Sequence, residues 1–188
     1  YEESKVLHER ALAIRERALG PEHPEVAQSL HNLATLREAA GAYEEAKPLY
    51  ERALAIQEAA LGPEHPDVAG GLNNLAAVHE ATGAYEEAKR LHERALAIWE
   101  RTSGGEHPLV TASLENLGNV YIATGDYARA ESFFERALAI HEKAQGSEHV
   151  DLAYSLLGLA ELALVQHRAS EAIPLAERAT ALRERGGV

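Results

Sequence analysis

The sequence predicts an all-α chain built as an array of antiparallel helical hairpins. Three observations carry that reading: a 42-residue internal period, proline and glycine recurring once per period, and a vocabulary dominated by Ala, Leu, Glu and Arg. Valine, threonine and aromatics, which favour strands, are scarce.

The period emerges when the chain is laid over itself. A shift of 42 places Tyr1 over Tyr43, Tyr85 and Tyr127, and Glu9-Arg10-Ala11 over Glu51-Arg52-Ala53, Glu93-Arg94-Ala95, Glu135-Arg136-Ala137 and Glu177-Arg178-Ala179. It also aligns Gly20, Gly62, Gly104 and Gly146, each followed by a Glu-His pair (Glu22-His23, Glu64-His65, Glu106-His107, Glu148-His149). Residues 41–82 and 83–124 share 26 identities in 42 positions, far beyond coincidence.

Each unit reads as two helices. The first opens at Pro24, Pro66 or Pro108, since proline suits the first helical position, where its missing N–H would be unpaired anyway. Apolar residues then recur three and four apart, as in Leu72, Leu75, Ala76 and His79. Gly41, Gly83 and Gly125 end it, because glycine accepts the left-handed conformation that closes a helix. The second helix runs from about Tyr43 to Leu61 and its equivalents, stopping at the glycine before Glu-His. Connections this short force the pair antiparallel. The expected layout is a half repeat over residues 1–23, then hairpins over 24–65, 66–107, 108–149 and 150–188, making about nine helices in one array.

Small residues recur where helices should touch: Ala46/Ala88/Ala130/Ala172, Ala53/Ala95/Ala137/Ala179 and Ala34/Ala76/Gly118/Ala160. Leu49/Leu91/Phe133 and Ile56/Ile98/Ile140 are expected to fill the space between. A larger residue in the small rows would overpack a joint, at roughly 1–3 kcal/mol each.

The run Leu72-x-x-Leu75-Ala76-x-x-His79-x-x-x-Gly83-x-Tyr85-x-x-Ala88-x-x-x-His92-x-x-Ala95 resembles the tetratricopeptide pattern at nearly every signature position. Leu72 replaces the usual first-helix aromatic, and His79 stands where Tyr121 stands one repeat later. The period, with Leu-Asn-Asn-Leu-Ala at 72–76 and Leu-Gly-Pro-Glu-His-Pro at 61–66, is similar to the longer variety found in kinesin light chains. The resemblance implies a right-handed superhelical α-solenoid whose first helices line a concave, partner-binding face. Similar arrays are appended to bacterial signalling proteins. A chain that starts at Tyr1 and holds no methionine is accordingly expected to be a piece of a longer protein of that type.

Composition narrows the function. The net charge of −12, from 30 acidic against 18 basic side chains, argues against nucleic acid, whose binders need basic patches. It also disfavours an anionic membrane surface, and no apolar stretch approaches the roughly 20 residues needed to span a bilayer. No cysteine is present, so disulfides, thiol nucleophiles and thiolate metal sites are excluded, and a cytoplasmic location is expected.

The first-helix positions outside the hairpin core are Gln28, His31, Asn32, Thr35 and Glu38; Gly70, Asn73, Asn74, Ala77 and Glu80; Ala112, Glu115, Asn116, Asn119 and Ile122; and Tyr154, Leu157, Gly158, Glu161 and Leu164. Of these, His31, Asn32, Thr35, Asn73, Asn74, Glu115, Asn116, Asn119, Tyr154 and Leu157 are the candidate peptide-binding residues. Asn32, Asn74 and Asn116 stand in register, and asparagine is a mediocre helix former that wants a reason there. The readings stay open: the amides grip a partner's backbone, as the resemblance implies, or they bridge adjacent repeats or were copied with the duplicated unit. Without Lys or Arg on this face, and with Glu38, Glu80, Glu115 and Glu161 there, a carboxylate clamp is not expected and the ligand should be neutral or basic. Gly158 replaces the asparagine in the last hairpin, where Tyr154, Leu157 and Leu164 turn the face apolar, for a partner's anchor or a capping helix.

No catalytic arrangement, cofactor loop or metal site is expected. His23, His65, His107 and His149 fall one per repeat at turns, on the order of 10 Å apart, so they should cap helices rather than share an ion. Trp99, whose column is otherwise Arg15, Gln57, His141 and Arg183, is expected to face solvent. The Glu-Arg pairs are expected to form exposed or inter-repeat ion pairs worth under about 1 kcal/mol. The leading function is therefore a scaffold that binds a peptide or partner protein. The alternatives are self-assembly through end helices, with Val6, Leu7, Leu12 and Ile14 partly uncovered, or a regulatory array on an enzyme such as a bacterial kinase.

Overall fold

The computed structural model describes residues 2–187, so Tyr1, the first member of the tyrosine column, lies outside the described residues. Among those residues there are nine helices and no strand: α1 (Glu2–Leu19), α2 (Pro24–Ala39), α3 (Tyr43–Leu61), α4 (Pro66–Ala81), α5 (Tyr85–Ser103), α6 (Pro108–Thr124), α7 (Tyr127–Gln145), α8 (Leu152–Val165) and α9 (Ala169–Gly186). They form two compact units, Tyr1–Ile98 and Trp99–Val188, and the division falls inside α5.

The punctuation acts as its chemistry dictates. His23, His65 and His107 are N-caps whose ring Nδ1 accepts the backbone N–H of Glu25, Asp67 and Leu109, at 3.2 Å each, satisfying one of the first-turn donors. Proline follows at N1 in all three. The fourth hairpin has Val150 in place of proline, and its first helix starts only at Leu152, although His149 still accepts from the Asp151 N–H at 3.3 Å. Without a ring to preset φ, Val150 and Asp151 stay in the turn.

At the other end of the first helices, Gly41, Gly83 and Gly125 take φ of +72°, +78° and +82°. The next residue's N–H then returns to the helix, as from Ala42 to the Arg37 carbonyl at 2.9 Å and from Asp126 to Tyr121 at 3.0 Å. The fourth hairpin makes the same return, from Arg168 N–H to the Ala163 carbonyl at 2.7 Å. There the left-handed position is held by His167, at φ +60°.

All three rows of small residues are buried, and Ala34, Ala46, Ala76, Ala88, Ala95, Ala130 and Ala137 have no exposed surface. Helices α2 and α3, α6 and α7, and α8 and α9 pack as pairs; α3 also packs on α4, and α7 on α8. The filling rows are less uniform than expected. Ile56 and Ile98 are buried, but Ile140, Leu49, Leu91 and Phe133 are only half-buried.

The recurring arginine of the Glu-Arg pair reaches back one repeat. Arg52 pairs with Glu16, Arg94 with Glu58 and Arg136 with Glu100, each at 2.6 Å, and Arg178 with Glu142 at 2.8 Å. Three of them also donate to a turn carbonyl: Arg52 to Pro21 (3.1 Å), Arg94 to Pro63 (3.0 Å) and Arg178 to Ser147 (3.1 Å). These are inter-repeat latches, and their partial exposure keeps each near the 1 kcal/mol scale.

Trp99 corrects the sequence expectation, being only 7% exposed. The polar members of its column are not uniformly solvent-facing either. Arg15 donates to the Ser29 hydroxyl, and the Gln57 amide lies where a Cβ at Gly71 would come within 2.8 Å of its Oε1. His141, 7% exposed, faces Glu115 at 3.6 Å.

Candidate functional site

Three candidate residues of the first unit, His31, Thr35 and Asn74, line one groove with Glu38, Tyr43 and Tyr50. Its polar groups are engaged with one another. The Tyr50 hydroxyl donates to Glu38 Oε2 at 2.7 Å and lies 3.0 Å from Thr35 Oγ1. Burial, reinforced by the Glu38 carboxylate, drives the Tyr50 phenol pKa far above its ordinary value of 10. The His31 ring meets Tyr50 edge-on, with centroids 5.4 Å apart, and its Nε2 is 3.4 Å from Asn74 Nδ2. Burial lowers the His31 pKa below its ordinary value.

The other two candidates of this unit are also engaged. Asn32 is exposed on α2 and accepts from the Gln28 amide at 2.9 Å. Asn73 Oδ1 lies 2.8 Å from Nδ1 of the fully buried His92, whose Nε2 meets Glu80 at 2.6 Å. His92 and Glu80 repeat, one period on, the pairing of Tyr50 with Glu38. In this unit the asparagines bridge within and between repeats.

The second unit differs. Its five candidates, Glu115, Asn116, Asn119, Tyr154 and Leu157, line a single groove of about 510 Å³ between α6 and α8. Ala112, Gly158 and Glu161 complete the walls and Phe134 of α7 lies beneath them. Phe134 holds the column occupied by Tyr50 and His92 in the first unit, and Ile122 holds that of Glu38 and Glu80. An apolar pair thus replaces the polar one. The ring fits because both flanking residues are glycine: a Cβ at Gly118 would lie 2.6 Å from it, and one at Gly158 closer still. The glycine that breaks the asparagine column therefore makes room for Phe134.

Only part of this groove's polarity is satisfied internally. Glu115 accepts from Ser155 Oγ at 2.6 Å and faces His141, whose pKa it raises by hydrogen bonding against the opposing effect of burial. Asn116, Asn119 and Glu161 have no hydrogen-bond or ionic partner among the described residues. Tyr154 is 65% exposed, and the Arg183 guanidinium stacks over it, 5.5 Å from the ring centroid.

Sequence reasoning missed Phe134 and Arg183 because both lie on second helices, outside the face considered. For Phe134 a signal existed: the aromatic stands in the same repeat-to-repeat stack as the glycines that interrupt two first-helix columns. Elsewhere, Val6, Leu7 and Ile14 of α1 are 42%, 59% and 66% exposed, whereas Leu12 is half-buried and packs against the core of Val26, Leu30 and Ile56. No helix among the described residues is long and apolar enough to cross a membrane.

The repeat, its hairpins and its first-helix grooves place the molecule among helical-repeat proteins. The tetratricopeptide repeat pattern matches residues 1–59, 36–88, 67–143 and 109–185, and the chain belongs to the tetratricopeptide repeat family. Among solved structures it is similar to BtubC (BKLC) from P. vanneervenii, at 26% identity and a TM-score of 0.85 over 99% of this chain and 74% of that one. It also resembles nearly identical TPR-like repeats of a kinesin light chain-type protein from Podosopora anserina. These align at 34% identity and a TM-score of 0.83 over 98% of this chain. A point variant of the same repeats aligns at 33% and 0.86 over 99%, and each alignment spans 88% of the other chain. No curated protein matches the sequence. Repeats of this family are in general protein–protein interaction scaffolds.

Proposed function

We propose that the chain binds an extended segment of a partner protein along its first-helix face, and that the α6–α8 groove is where that segment is held. The carrying observation is the pair of amides, Asn116 and Asn119, unpartnered among the described residues and set above the buried Phe134. An extended peptide presents unpaired backbone N–H and C=O groups, and a side-chain amide answers both with one donor and one acceptor. Asn32 and Asn74, which share the Asn116 column, are engaged with side chains of the chain itself, so they contribute shape more than hydrogen bonds. The groove carries Glu115 and Glu161 and no lysine or arginine in its lining, which favours a neutral or basic segment over an acidic one. A cytoplasmic setting belongs to the same proposal, as does a role as scaffold rather than enzyme.

The experiment is a peptide array probed with the wild-type chain and with the double variant Asn116→Ala/Asn119→Ala. Both positions are at least partly open to solvent, so helicity and unfolding midpoint should stay within about 0.5 kcal/mol of wild type. Affinity for bound peptides should fall about tenfold, on the scale of one or two lost hydrogen bonds. Peptides that bind the variant as tightly as wild type would place the interaction elsewhere.

A further inference from the structure

The α6–α8 groove is amphipathic in a particular way. Leu157 and the ring of Tyr154 offer apolar surface over the buried Phe134, while Glu161, exposed and without a partner among the described residues, offers an uncompensated negative charge. Glu115 differs from Glu161, because Ser155 and His141 already engage it.

A purely apolar guest would take water from Glu161 and return nothing, leaving a carboxylate partly desolvated. An acidic guest would meet like charge. A long basic side chain satisfies both features at once, laying its methylene stem on Leu157 and Tyr154 and carrying its charged head to the carboxylate. Arginine suits the site better than lysine, since its planar fork matches a carboxylate in two-point contact and stacks on aromatic rings. Tyr154 already shows that preference, with the guanidinium of Arg183 over its ring. Arg183 itself does not line the groove.

Resting on the reading that this groove holds a partner segment, we propose that it is an arginine-selective subsite. Glu161 is the counter-charge, Tyr154 and Leu157 hold the stem, and Asn116 and Asn119 fix the backbone on either side.

The test is selection from a phage-displayed library of random peptides against the wild-type chain, followed by fluorescence anisotropy with synthetic copies of the enriched sequences. Enriched peptides should share an arginine. Replacing it by norleucine should weaken binding about tenfold, and replacing it by lysine by a smaller factor. Glu161→Gln should cost wild-type peptides a factor of about three to ten, and should cost the norleucine peptide nothing, the non-additivity that marks a direct pair. The exposed position of Glu161 makes this variant harmless to folding. Enrichment of sequences without a basic residue, or an unchanged affinity in Glu161→Gln, overturns the subsite. Binding lost in Asn116→Ala/Asn119→Ala but untouched by Glu161→Gln would do so while leaving the proposed function in place. Failure of any peptide to enrich would overturn both.

Discussion

Phe134 lies between two glycines, and substituting either one measures how tightly the second unit is built. Gly158 is the sharper probe. It sits inside α8, where alanine would ordinarily stabilise the helix by about 1 kcal/mol. Here a Cβ would penetrate the Phe134 ring, which is 1% exposed and cannot retreat, because Gly118 already presses on it from α6. Gly158→Ala should therefore destabilise by about 2–3 kcal/mol, the upper part of the overpacking range. Phe134→Ala alone should cost about 3–5 kcal/mol through the cavity it leaves. Alanine is tolerated by the architecture, since Ala176 holds this column in the last hairpin. In the Phe134→Ala background the clash is gone, and Gly158→Ala should recover its helical gain of about 1 kcal/mol. The coupling between the two changes is then about 3–4 kcal/mol. Urea unfolding can be followed by the fluorescence of the single tryptophan, Trp99, which is buried and belongs to the unit Trp99–Val188. Additivity within about 0.5 kcal/mol would refute the packing argument.

Two further outcomes test other parts of the architecture. His167 occupies at φ +60° the position that is glycine in the three preceding hairpins, so His167→Gly should raise the unfolding free energy by about 1 kcal/mol in urea titrations. The His141 pKa is raised, first by the Glu115 carboxylate and further by Asp151 and Gln145, with burial opposing. A raised folded-state pKa means the stabilisation is fully present below the unfolded value near 6.5 and fades as pH rises through the folded one. His141→Gln should hence cost more stability at about pH 5.5 than at about pH 8.5. His31→Gln should show the opposite trend, because burial lowers that pKa and the wild-type imidazole disfavours folding in acid.

The amino-acid sequence by itself determined the helices and their pairing. These are set by local rules that repeat every 42 residues: a histidine that caps, a proline that starts, a glycine that turns left-handed, an alanine that lets two backbones meet. A column of such residues is legible because the constraint lies within one turn of helix or between adjacent helices. Less legible are columns whose side chains meet groups from another helix. Trp99 is expected at the surface because its repeat equivalents are polar, yet it is buried, and in the same column His141 is buried as well. The sequence leaves the asparagine register open between a partner's backbone and neighbouring side chains; in the first unit Asn73 and Asn74 lie against His92 and His31, and Asn32 accepts from Gln28 of its own helix. In the second unit Phe134 stands where Tyr50 meets Thr35, opposite Asn119, and Ala112 stands where Gln28 bonds Asn32, opposite Asn116; Asn116, Asn119 and Glu161 have no hydrogen-bond or ionic partner among the described residues. Sequence periodicity reports which positions are equivalent. Whether equivalent amides are available to a partner is decided by which side chains from the neighbouring helices reach them first, and only the tertiary structure contains that.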